Sequence, residues 1–127
     1  MRLWHEILIP KLPRMQLLGQ HRECTAMRGL GWGVKHSVVN YVWSYPIEAL
    51  VAYHLKVIEE MEKRGYSPDS TWKNPKYRGK RFGYDESVSE ALVEYFECFE
   101  PVFAEHNEEY LAECLENLEN KNITIKL

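Results

Sequence analysis

One carboxylate is placed where it could do chemistry. Glu23 closes the segment LPRMQLLGQHRE, residues 12–23, with only eleven residues ahead of it. At about 100° per residue on a helix, Gln16, Gln20, Glu23 and Met27 share one stripe and Gly19 lies beside it. Leu17, Leu18, His21, Cys24 and Thr25 fall on the opposite face. A carboxylate flanked by amides can stabilise a cation or carry a proton, and a neighbouring glycine permits close approach of a ligand. The same stripe also describes a solvated polar face, with Arg22 as an ordinary surface charge.

A second constellation lies between Trp72 and Phe82. Lys73, Lys76, Arg78, Lys80 and Arg81 alternate there with Trp72, Tyr77 and Phe82, and no acidic residue interrupts them. Cations for phosphates and aromatic faces for unstacked bases are what nucleic-acid grooves use. A solvated loop anchored by its aromatics would read the same way. Lys35 and His36, just past the glycine-rich stretch Gly29–Gly33 around Trp32, are a second candidate contact. The histidines His5, His21, His36, His54 and His106 lack paired-ligand spacing, so a metal site is not expected. His54 falls near an apolar stripe and reads as a hydrogen-bonded core residue. Cys24, Cys98 and Cys114 form an odd set without CxxC spacing, the pattern of reduced thiols.

Helices must position these groups. The first runs from Pro13, tolerated in a first turn, to about Arg28, with Gly29 as its stop. A second begins at Ser44–Pro46 and carries Ile47, Leu50, Val51, Leu55, Ile58 and Met61 at helical spacing. Lys63, Arg64 and Gly65 close it. Ser87 with Glu90 resembles a capping box for a third helix, whose stripe is Val88, Ala91, Leu92, Tyr95, Phe96 and Phe99. Pro101 breaks that pattern. Asn107 caps a fourth helix, with Tyr110, Leu111, Cys114, Leu115 and Leu118 on one side. Val38–Trp43 fits either helix or strand, and Ile123–Ile125 alternates weakly enough to be extended. The expectation is an all-α, compact single-domain bundle of three to four main helices with long loops, spanning 1–127.

The net charge of −3 conceals an asymmetry. Residues 1–82 hold 14 Lys and Arg against 7 Asp and Glu, whereas residues 83–127 hold 2 against 12. The first part is suited to a polyanion and the second is repelled by one. No apolar run approaches the roughly 20 residues of a membrane span, and the N-terminus lacks a signal-peptide layout. A cytoplasmic protein without a membrane partner is therefore expected.

The order and spacing of several short segments resemble the pyrimidine-dimer DNA glycosylases of the phage endonuclease V type. The segments are Leu12 and Leu17 followed by Arg22-Glu23, then Lys35-His36, EMEKRGY at Glu60–Tyr66, and Asn74-Pro75-Lys76-Tyr77-Arg78-Gly79. The similarity covers about residues 1–82. It implies an α-amine at the chain's start as nucleophile, since an amine with a reference pKa near 8 is far more often neutral at pH 7 than lysine. It also implies a carboxylate at Glu23 that stabilises the cationic sugar and moves protons. Arg2 followed by a one-residue insertion matches the family's second-position arginine. A bulky Arg2 blocks removal of Met1, so the implied nucleophile is the Met1 amine.

By the same resemblance, Arg2 and Arg22 hold phosphates around a lesion. Gln16, Gln20, Lys35, His36, Lys73, Lys76, Arg78 and Lys80 are further candidate contacts to double-stranded damaged DNA. Neither metal nor organic cofactor is implied, and a monomer is expected. The reading is a repair glycosylase with abasic-site lyase activity. The alternatives are a non-catalytic nucleic-acid-binding protein of the same fold and a protein-interaction module.

Overall fold

The computed structural model describes residues 2–29 and 37–127. Met1, Trp32, Lys35 and His36 lie outside the described residues. The fold is all-α, as expected: four α-helices, α1 (Arg14–Gly29), α2 (Ile47–Lys63), α3 (Glu90–Glu97) and α4 (Glu108–Glu119), are joined by 3-10 segments at Glu6–Lys11, Ser37–Ser44 and Ser70–Lys73. Among the described residues there is no strand, and Tyr77 and Tyr84 form an isolated antiparallel bridge. Val38–Trp43 is thus helical in kind. Ile123–Ile125 stays irregular, tied back where the Ile123 N–H donates to the Leu118 carbonyl at 2.9 Å.

The central element is α2. It packs against α1, α3 and the first 3-10 segment, and Ala49 to His54 are buried without interruption. A helix covered on several sides loses its polar face, and this one does over its first half. Glu48, 7% exposed, is nonetheless buried at its start. Its carboxylate accepts the Ser89 N–H at 2.9 Å, which anchors the turn before α3. The far end stops as its sequence predicts: Arg64 donates to Glu60, and Gly65 adopts φ +87°, the conformation a side chain opposes.

Two helices differ from their sequence reading. Ser89, not Ser87, caps α3, its hydroxyl accepting the Leu92 N–H at 3.1 Å. Ser87 instead bonds Asp85 through both its N–H and its hydroxyl. The buried residue of α3 is Val93, while Tyr95 and Phe99 of the expected stripe are exposed at 56% and 44%. Val93 is the helix's buried anchor, and Phe96 packs half-buried against the same core. For α1, the buried residues are Leu17, Gln20, Cys24, Met27 and Arg28. The buried arc is rotated by roughly 60° from the apolar face read at 100° per residue. Gln20 and Met27, placed on an open stripe by periodicity, are 1% and 0% exposed. Polar partners for Gln20 and Arg28 make this rotation affordable, as the site below shows. By contrast, α4 is capped by the Asn107 side chain and buries Cys114 and Leu118 as expected.

Arg28 is fully buried at the end of α1. Its guanidinium donates to the carbonyls of Trp72 (2.9 Å), Asn74 (3.0 Å) and Tyr77 (2.8 Å), and lies 3.0 Å from His54 Nδ1. The Trp72 ring lies 5.1 Å away. One planar fork thereby fixes the path of an irregular loop. Next to it a Cβ at Gly29 would stand 3.3 Å from the Arg78 carbonyl oxygen, so glycine lets the loop approach the helix end. Replacing Arg28 by lysine keeps the charge but not the fork. It is expected to cost about 3 kcal/mol in urea unfolding and to sensitise residues 70–82 to proteolysis. A loss below about 1 kcal/mol would mean the loop is held by its aromatic packing instead.

Candidate active site and nucleic-acid interface

Residues 2–5 form neither helix nor strand, so side chains must satisfy their backbone polar groups. The Arg2 N–H donates to Glu23 Oε2 at 3.0 Å. The Arg2 carbonyl accepts from Gln20 Nε2 at 2.8 Å, and the Trp4 N–H donates to Gln20 Oε1 at 2.6 Å. Tyr53 of α2 donates to the Trp4 carbonyl at 2.6 Å, and Tyr110 of α4 donates to the Leu3 carbonyl. Leu3 and Trp4 are buried under these contacts. Residues 2–4 are therefore clamped against α1, with the Arg2 backbone nitrogen on the Glu23 carboxylate.

Gln20 is thus not the open contact its sequence position suggested. Its amide is fully employed inside the protein, and the role read from periodicity is corrected here. Arg2 turns its guanidinium toward α4, 3.6 Å from the exposed Glu113 and about equally far from the Trp4 and Tyr110 rings at 5.7 and 5.9 Å. Around Glu23, Gln16 and Gly19 are half-buried and Arg22 is exposed. The Arg22 guanidinium lies over Gly19, 3.6 Å from where a Cβ would be. A carboxylate and, one residue before it on α1, an exposed cation therefore sit beside the N-terminal segment.

One turn further along α1, a recess of about 420 Å³ is lined by Thr25, Ala26, Gly29, Trp72, Arg78, Gly79, Lys80, Arg81 and Phe82. Ala26 is three residues beyond Glu23, about 4.5 Å along the axis. Lys80, Arg81 and the half-exposed Phe82 stand at its edge, and the Arg78 and Arg81 guanidinium groups each lie 5.8 Å from the Phe82 ring. The other cations of the loop are engaged within the protein. Lys73 pairs with Glu62 at 3.1 Å. Lys76 donates to the Val88 carbonyl at 2.7 Å, and Arg78 donates to the Arg28 carbonyl at 2.8 Å and pairs with Asp85 at 3.0 Å. Lys76 and Arg78, read as phosphate contacts, thus brace the loop, while Lys80, Arg81 and Phe82 of the same basic-aromatic stretch stand at the recess. Arg28, Tyr53 and Tyr110 were missed. Their partners are backbone carbonyls remote in sequence, which leave no local signature.

A profile of the pyrimidine dimer DNA glycosylases matches residues 1–74. The chain belongs to this family. The matched stretch carries the N-terminal segment, Glu23 and Arg28, and it ends within the Asn74–Gly79 segment. No curated protein and no solved structure matches the chain.

Histidines brace the scaffold on the far side of α1 and beside the N-terminal segment. Arg28 has only donors, so His54 Nδ1 accepts from it and the His54 proton sits on Nε2. That Nε2–H donates to His21 Nδ1 at 2.9 Å. On the other side, His106 Nδ1 accepts the Glu6 N–H at 3.1 Å, so its Nε2–H donates to Tyr41 at 2.7 Å. Burial pushes all of these toward the neutral form. His54 is held well below its ordinary value by burial and then by Arg28, and His106 is lowered to about 3 by burial. Burial lowers His21 and His5 too. Arg28 itself is pushed down to about 10 by burial, which leaves it cationic.

The sign of the resulting linkage is set by the unfolded chain, which binds these protons near pH 6.5 while the folded chain resists them. Stability is complete above that pH and falls as pH drops toward the folded values. His54 and His106 together are expected to remove about 3–4 kcal/mol by pH 5. Urea titrations from pH 7.5 to 5 measure this, and a flat profile would show that the two rings take up protons without unfolding.

Proposed function

We propose that the chain is a repair glycosylase with abasic-site lyase activity, acting on damaged pyrimidines in double-stranded DNA as a cytoplasmic monomer. The observation that carries the reading is the Arg2 N–H on the Glu23 carboxylate at 3.0 Å. Chain geometry keeps a preceding α-amine within about 3.6 Å of that nitrogen. A free amine at Met1 and a helix carboxylate would then face the same sugar.

In this mechanism the lone pair of the neutral amine attacks C1′ of the damaged nucleotide. The glycosidic C–N bond breaks, and the base leaves with the electron pair and takes up a proton. The attacking nitrogen gives up one proton, the C1′–O4′ bond opens with its electron pair going to O4′, which takes up a proton, and an iminium remains between the chain's nitrogen and C1′. Glu23 stabilises that cation electrostatically. As a base it then removes a proton from C2′, and the electrons released expel the 3′ phosphate by breaking the C3′–O bond. Water hydrolyses the imine and returns the amine. The recess formed by Lys80, Arg81 and Phe82 lies along the same helix, suited to the flanking phosphodiester and to an unstacked base. Arg22, over Gly19, would hold a phosphate nearer the lesion.

Borohydride reduction in the presence of abasic or dimer-containing duplex is expected to trap a covalent adduct, mapped by mass spectrometry to residue 1. Absence of the adduct with salt-sensitive DNA binding intact would leave a non-catalytic binding protein. Loss of both would favour a protein partner. Glu23→Gln is expected to slow strand cleavage by at least about 100-fold while DNA affinity stays within about threefold. Equal loss of both would make Glu23 structural.

Replacing Lys80 and Arg81 together by alanine is expected to flatten the slope of log affinity against log salt by about 1 to 2. An unchanged slope would place the DNA elsewhere on the surface.

A further inference from the structure

We infer that Gln20, held by Tyr53, is a positioning residue that sets the nucleophile's chain and the Glu23 carboxylate in one geometry. This rests on the reaction proposed above and assigns to a buried amide what neither composition nor the family profile assigns to it.

One carboxamide offers two donor hydrogens and two acceptor lone pairs. In Gln20 all four have directed partners. Oε1 accepts the Trp4 N–H at 2.6 Å and the Tyr53 hydroxyl at 3.0 Å. Nε2 donates to the Arg2 carbonyl at 2.8 Å and reaches Glu23 Oε2 at 3.4 Å. The partners fix the orientation of the amide: turned over, its NH₂ would face the Trp4 N–H and its oxygen the Arg2 carbonyl. The residue is 1% exposed and Tyr53 is fully buried, so water offers no alternative partner.

Two properties separate this arrangement from a merely buried polar residue. Gln20 touches both halves of the reacting pair, the backbone that leads to the amine and the carboxylate that faces the sugar. Tyr53 further ties this set to α2, the most covered helix: its single hydroxyl hydrogen is shared between the Trp4 carbonyl, the shorter bond at 2.6 Å, and Gln20 Oε1 at 3.0 Å. The clamp therefore transmits the rigidity of the core to a segment without secondary structure. Displacement of a reacting group by about 1 Å can cost on the order of 100-fold in rate, so loss of the clamp should appear in the chemical step before it appears in binding.

Single-turnover borohydride trapping on abasic duplex, measured beside DNA affinity and thermal unfolding, tests this. Gln20→Glu keeps the acceptor facing Trp4 and Tyr53 but replaces the donor facing Arg2 and Glu23. It is expected to slow trapping at saturating DNA by about tenfold or more, with affinity within about twofold. Tyr53→Phe removes a single hydroxyl, and a slowing of about three- to tenfold is expected with the same affinity. If Gln20→Glu does not fold, Tyr53→Phe decides the matter. Folded variants that trap at the unaltered rate, or that lose rate and affinity in equal measure, would overturn the positioning role. Failure of the unsubstituted protein to trap at all would instead sink the reaction proposal on which this one rests.

Discussion

The backbone from Arg2 to Trp4 has no repeating hydrogen-bond ladder of its own, and the site depends on how that deficit is met. Buried peptide groups must find partners, and here Glu23, Gln20, Tyr53 and Tyr110 supply them from three different helices. Each bond taken alone is modest, about 1 kcal/mol net. Their effect is geometric, because together they leave the segment one path across α1. The carboxylate that would act on a substrate is part of the same set of contacts.

A second polar centre lies eight residues further along the same helix. Arg28 does for the loop at Trp72–Tyr77 what Gln20 does for the N-terminal segment, gathering carbonyls that no strand or helix would satisfy. Both residues belong to the buried arc of α1, separated by about 12 Å along its axis. Glu23 lies between them. The helix thereby acts as a rigid spacer between the contacts of the Arg2–Trp4 segment and the cationic, aromatic recess. The spacing is fixed by helical rise rather than by loop conformation.

The acidic third of the chain supports the site from behind. Tyr110 of α4 reaches the Leu3 carbonyl, and His106 accepts the Glu6 N–H across a hundred residues of sequence. Glu6 in turn pairs with Lys56 at 2.8 Å and accepts the Val102 N–H at 2.9 Å. These contacts knit the charge-segregated halves together through neutral or compensated groups. The carboxylates of α4's exposed face stay in solvent, where they cost little.

Local chemistry was enough to determine the four helices, the Asn107 cap, the Gly65 stop and the all-α class, because caps and apolar periodicity act within a turn or two. The order of short segments was enough to point to the family, and it singled out Glu23. The direction each helix faces was decided only in the tertiary structure. Periodicity weighs residues by polarity, so it turned Gln20 outward and could not see that a chain terminus would saturate its amide. It read Lys76 and Arg78 as open cations, although their partners are the Val88 carbonyl for Lys76, and the Arg28 carbonyl at the end of α1 and the Asp85 carboxylate for Arg78. It also passed over Arg28, whose carbonyl partners lie 44 to 49 residues away and are backbone atoms carrying no sequence identity. Polar burial depends on who arrives to pair with the group. In this protein that is a property of the assembled chain.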